Sequence, residues 1–125
     1  MADFKVIVAG GRDFNDYRLL RDKLDTLLTN VAKKDTITII SGTAPGADRL
    51  GERYAQQRHY NLEKYPAKWH VFGNQAGFIR NTEMAKRADA LVAFWNGESH
   101  GTRHMIEYAR QKKLKVRVVR YESVQ

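Results

Sequence analysis

Nine glycines punctuate the 125 residues, and six of them follow short apolar runs in pairs. Gly10 and Gly11 follow FKVIVA, Gly42 and Gly46 follow TITII, and Gly97 and Gly101 follow DALVAFW. Each pair also leads into a segment with helical spacing. The first backbone N–H groups of a helix lack internal partners and carry partial positive charge. Glycines there let a ligand approach the backbone closely, which makes such turns a place for phosphate. Any parallel α/β sheet needs some glycine for turning, but six of nine on three turns exceeds that need.

Side chains suited to the same chemistry stand around these turns. Arg12 and Arg80 can donate to phosphate through a planar fork; the alternative is a surface ion pair with Asp13 or Glu83. Ser41 and Thr43 accompany the second glycine turn. The stretch Gly97–Thr102 (GESHGT) has glycines, the Ser99 and Thr102 hydroxyls and a helix start, enough for one phosphate group. Asp48 opens a helix and can hold a ribose hydroxyl or act as a general base, although an acid at that position is favourable with no ligand at all. Glu98 is the acid nearest the last turn, where it can stabilise an oxocarbenium-like centre. His100 is a candidate proton donor or phosphate contact, with an unperturbed pKa near 6.5. Phe14 and Trp95 stand at strand ends, where rings either stack on a base or simply pack. Trp69-His70 precedes a helical segment as a candidate lid. His100 and His104 are spaced to share a metal, but H-G-T-R-H lacks the Glu of H-E-x-x-H and no third ligand is evident, so neither metal nor cofactor is expected.

The turns differ from the common nucleotide signatures. Gly10-Gly11-Arg12-Asp13-Phe14 is not G-x-G-x-x-G, and no acid closes a second strand to hold a ribose in the dinucleotide manner. No turn supplies G-x-x-x-x-G-K-[ST], which excludes a P-loop NTPase.

The elements that must position these residues follow from periodicity. Phe4–Ala9 reads as a buried strand. Leu19, Leu20, Leu24, Leu27, Leu28 and Val31 recur at helical spacing within residues 15–32. Thr36–Ile40 is a second strand and residues 47–59 a second helix. Asn61–Tyr65 is a weaker strand ended by Pro66, and Ala67–Gly77, without clear periodicity, reads as a surface loop. Phe78–Ala88 resumes helical spacing, Asp89–Trp95 is the strongest strand, Thr102–Lys112 a last helix and Lys115–Tyr121 a final strand. Strands alternating with helices imply βαβ units and a mostly parallel sheet covered on both faces. With right-handed crossovers, the simplest arrangement is a single Rossmann-like α/β domain over residues 1–125. It has a five-stranded sheet of order 3-2-1-4-5 and a crevice between the first and fourth strands. In that order the three glycine turns are neighbours.

Composition limits the remaining classes. The chain has the size of one compact domain. Absence of cysteine excludes disulfides, thiol nucleophiles and iron–sulfur clusters. No apolar run approaches a membrane span, and the N-terminus does not read as a signal peptide, so a cytoplasmic protein with no membrane partner is expected. The formal charge is +8, and residues 103–125 hold 7 basic and 2 acidic side chains. Such an end can attract phosphates or nucleic acid, or be a solvated lysine-rich face. Two open sheet edges and broad helical faces make a homo-oligomer the expectation.

GGRDF after the first strand, SGTAPGAD after the second, Arg80-Asn81 on the third helix and the S-x-G-T turn after DALVAFW together resemble the SLOG superfamily. That superfamily of Rossmann-like domains includes the DNA-processing protein DprA and the Lonely Guy phosphoribohydrolases. The similarity is to the YspA/YpsA-related branch and runs from about Lys5 to Val119. It implies a pocket for a nucleotide or nucleotide-derived ligand at the strand carboxyl ends. Gly10, Gly11 and Arg12 would line the first loop, and Ser41, Gly42, Gly46 and Asp48 the second. Arg80 and Asn81 would sit on the third helix, with Ser99, Gly101 and Thr102 holding phosphate. The Lonely Guy turn P-G-G-x-G-T-x-x-E carries its catalytic Glu three residues after the Thr, where this chain has Met105. The resemblance therefore implies binding first. N-ribohydrolase activity through Glu98, Asp48 or His100, and DprA-like binding of single-stranded DNA, stand as alternatives.

Overall fold

The computed structural model describes residues 2–123. Five strands form one parallel sheet: β1 (Asp3–Gly10), β2 (Thr36–Ser41), β3 (Asn61–Lys64), β4 (Ala90–Trp95) and β5 (Lys115–Arg120), in the order β3-β2-β1-β4-β5. The expected topology is the observed one. Register sets Ile7 beside both Ile40 and Leu91, and Gly10 beside Phe94, so the carboxyl ends of β1, β2 and β4 finish along one edge.

Strand alternation divides the core in two. Val6 and Val8 point to the face covered by α1 (Tyr17–Ala32) and α2 (Ala47–Arg58), where they meet Leu20, Leu24, Leu28 and Tyr54. Ile7 and Ala9 point to the other face, packing with Met84, Met105 and Ile106 from α4 (Ala76–Arg87) and α5 (His100–Gln111). The side chain of Asp16 caps α1 by accepting from the Leu19 N–H at 3.0 Å. Asp25 ties α1 to α2, accepting from Tyr54 Oη at 2.6 Å and from Arg58 Nη2 at 2.6 Å. Among the described residues no helix is long and apolar enough to cross a membrane.

The structure corrects the reading of residues 67–77. Instead of a plain loop, the segment holds a single-turn helix α3 (Trp69–Phe72) and a 3₁₀ turn (Gly73–Gln75) that runs directly into α4. Neither buries a residue, so no apolar periodicity could announce them. The last helix likewise begins at His100 rather than Thr102. Ser99 caps it, its Oγ accepting from the Thr102 N–H at 3.4 Å.

Candidate functional site

The first two glycine turns touch. The Gly11 N–H donates to the Phe94 carbonyl at 3.0 Å, and the Gly11 carbonyl accepts from the N–H of Ala47, the first residue of α2, at 3.2 Å. Gly46 has φ +84°, and a Cβ there would lie 2.2 Å from the Gly11 carbonyl oxygen. Only glycine permits this contact. Arg12, next in the chain, is exposed.

Gly42 makes room for two side chains. A Cβ on it would lie 2.5 Å from Arg80 Nη1 and 2.8 Å from Asp48 Oδ2. Arg80 Nη1 donates to the Gly42 carbonyl, while Arg80 Nε donates to Asn81 Oδ1 at 3.1 Å. Asn81 is buried; its Nδ2 donates to the Gly101 carbonyl at 3.3 Å and faces His104 Nδ1 at 3.2 Å. The Arg-Asn pair of α4 thus connects the turn after β2 to the first turn of α5.

These residues enclose an open hollow of about 260 Å³ at the carboxyl ends of β1 and β4. Gly10, Arg12, Asp48, Arg80, Asn81, Ser99, Gly101 and Thr102 line it, over a floor that includes Met84 and Met105. Nothing lies within 4 Å of where a Gly101 Cβ would stand, so this first turn of α5 is open to an incoming group. Trp69, about half exposed, is a wall of this hollow and of an adjoining one of about 280 Å³, which Gly42 and Thr43 line and which also borders Arg12 and Arg80.

The electrostatics favour an anion. Two guanidinium groups face one carboxylate, and neither Arg12 nor Arg80 forms an ion pair with an acid among the described residues. Asp13 is instead taken by Tyr121 Oη. Burial drives the Asp48 carboxyl up to about 6, against the opposing pull of the Ala44 N–H, which it accepts at 3.2 Å, and of Arg80. Burial also pulls Arg80 below its ordinary value. Desolvation of the Arg80 guanidinium strengthens its attraction for an anion that reaches it from the hollow.

Several expected site residues stand elsewhere. Phe14 is only 2% exposed; its ring stacks on Phe94 with centroids 4.8 Å apart and serves the core. Trp95 donates its Nε1 to the Ser99 carbonyl at 3.1 Å, lies under the Arg103 and Arg120 guanidinium groups and does not line the hollow. Ser41 is fully buried, bonded to Glu52 at 2.7 Å and to the Thr43 N–H at 3.0 Å, so it shapes the turn from inside. Glu98 and His100 are exposed and lie outside the lining. Gly97, at φ +89°, accommodates the Arg120 guanidinium. Residues the sequence reading missed include Asn74, Gly77 and Phe78. Asn74 and Gly77 fall in the segment read as a loop, and Phe78 opens the helical segment after it. Phe78 stacks on His104 at 4.4 Å, and burial lowers the pKa of that imidazole.

Fold and hollow define a Rossmann-like α/β domain with a cationic recess at the topological switch between β1 and β4. Residues 4–72 match the YspA, cpYpsA-related SLOG family (YAcAr), and the chain belongs to that family. It is 32% identical over 118 residues to the Gene 61 protein of Mycobacterium phage D29, covering 90% of this chain and 93% of that protein. The fold is also that of part of DNA processing protein A (DprA). The Streptococcus pneumoniae protein superposes with a TM-score of 0.70 at 14% identity over 94% of this chain, which spans 50% of that protein's length. The Helicobacter pylori protein, whose structure describes its single-stranded DNA binding mode, superposes with a TM-score of 0.65 at 18% identity. That match covers 96% of this chain and 68% of the other. At these identities the likeness to DprA concerns the fold.

Proposed function

We propose that this protein binds a nucleotide or nucleotide-derived phosphate ligand in the hollow between β1 and β4. The observation that carries this reading is the meeting of Arg12, Arg80 and the unobstructed first turn of α5 around one recess with a single carboxylate. The phosphate sits at Ser99, Gly101 and Thr102, where the Gly101 N–H and whichever of the paired Ser99 and Thr102 hydroxyls keeps its hydrogen donate, and Arg80 donates from the opposite wall. Trp69 supplies an aromatic face for a base on the side of the second hollow.

Calorimetry with AMP, ADP-ribose, inorganic phosphate and adenosine tests the proposal. Binding of the two phosphate-bearing nucleosides, weakened in Arg80→Ala, supports it. Absence of heat with every phosphate-bearing ligand, in wild type and variant alike, overturns it. A single-stranded oligonucleotide that binds in preference to both nucleotides, with affinity falling steeply as salt rises, points to the DprA-like alternative.

A second reading, cleavage of an N-glycosidic bond, is favoured by Asp48 alone of the three acid–base candidates. It lines the hollow, and its pKa of about 6 suits proton transfer near neutrality. Release of free base from AMP, lost in Asp48→Asn while AMP binding persists, distinguishes catalysis from binding.

A further inference from the structure

We propose that the flank of the sheet between α1 and β5 is a docking groove for an acidic amphipathic helix of a partner protein. In a three-layer α/β domain each sheet face is buried by helices. Here α4 and α5 cover the face formed by Leu91, Ala93, Val116 and Val118. On the opposite face α2 packs over β1, β2 and β3, and α1 buries Val92 and Phe94 of β4, but no helix among the described residues covers β5. The slot where such a helix would lie holds two hollows of about 250 and 440 Å³, both bordered by Leu27 and Arg117. Their floor is apolar, with the partly buried Phe4, Leu27, Val31 and Val119 prominent. This groove shares no lining residue with the hollow at the strand carboxyl ends.

The rim identifies the occupant. Lys23, Lys115 and Arg117 are exposed along it, no carboxylate lines either hollow, and none of the three cations forms an ion pair among the described residues. An apolar stripe seated in the slot, with acids on its flanks, satisfies both floor and rim; this is helix-in-groove recognition. A second copy of the chain fits poorly. Pairing two β5 edges would set Lys115, Arg117 and Arg120 against their own kind, and like charges across a strand pair repel.

The test uses two labelled helical peptides with the same leucine stripe at helical spacing, one flanked by Glu and its twin by Lys. Fluorescence anisotropy should show saturable binding of the Glu-flanked peptide at least about tenfold tighter than its twin, weakening as salt rises. The double variant Lys115→Glu/Arg117→Glu should reverse that preference. Both positions are exposed, and circular dichroism checks that the variant folds. Amide shifts on peptide binding should fall on Leu27, Val92 and Val119. The proposal is overturned by no saturable binding of the Glu-flanked peptide, by equal binding of the twins, or by a preference the double variant leaves unchanged. Shifts confined to the β1–β4 hollow, or a dimer that forms through β5 and competes with the peptide, also overturn it.

Discussion

Arg80 of α4 and Asp48 of α2 converge on the one glycine that leaves space for both. With no side chain on Gly42, the guanidinium reaches the Gly42 carbonyl and the carboxylate approaches the same Cα. The pair sets the charge of the hollow and makes it sensitive to pH. Burial raises Asp48 from 3.8 to about 6, so between those values the folded protein keeps a proton that the unfolded chain releases. The contribution of Asp48 to stability is therefore greatest below pH 4, falls as pH rises through this window and levels off above it. At about 1.4 kcal/mol per unit the loss is about 3 kcal/mol. Urea titrations of Asp48→Asn across pH 4–7 should lack this slope; an unchanged slope would assign it to other groups.

Arg80→Met keeps bulk but removes both hydrogen bonds. The buried Gly42 carbonyl loses its donor, which should cost about 1–3 kcal/mol in denaturant unfolding. Affinity for AMP should fall by at least about tenfold as the charge-assisted contact goes. Arg12→Met, whose side chain is exposed, should weaken AMP binding without measurable loss of stability.

Two glycine substitutions separate folding from binding. Gly46→Ala drives a Cβ into the Gly11 carbonyl at a positive φ and should destabilise the domain by several kcal/mol, about 2 or more. Gly101→Ala meets nothing within 4 Å and lies in a helix, so the melting temperature should hold or rise slightly. Its methyl group projects where the ligand enters, and calorimetry should show weaker AMP binding. Unchanged affinity would place the phosphate elsewhere.

The two aromatic candidates should behave in opposite ways. Phe14→Ala removes a ring from the core, at a cost of about 3–5 kcal/mol, and Phe14→Leu should fold and bind AMP normally. Trp69→Ala, half exposed in the wild type, should leave stability unchanged. It should weaken AMP more than inorganic phosphate.

Tyr54→Phe tests the joint between the two helices on the α1/α2 face. Tyr54 is fully buried and its hydroxyl donates to Asp25 at 2.6 Å. Losing that charge-assisted bond should cost about 1.5–3 kcal/mol in urea unfolding. AMP affinity, set at the other end of the sheet, should not change.

What could be read from the chain was whatever repeats locally. Alternation of Val6, Ile7, Val8 and Ala9 and the leucine spacing of α1 are properties of a few consecutive residues, and the right-handed crossover rule converts them into a sheet order. The paired glycines marked the rim for the same reason. Residues 69–75 escaped because short turns that bury nothing carry no periodic signal. Phe14 and Trp95 stay undecided in sequence, because a ring at a strand end looks the same whether it turns inward or toward a ligand.

Strand order and the gathering of the glycine turns along one sheet edge were thus decided by sequence, since both rest on backbone geometry and nearest-neighbour pattern. Which side chains share the hollow was decided only by tertiary structure. Asp48, Arg80 and Gly101 come from three helices, and their meeting depends on how α2, α4 and α5 pack across the two sheet faces. The charge of Asp48 is of the same kind, because desolvation is a property of the packed surroundings and no neighbour in sequence encodes it.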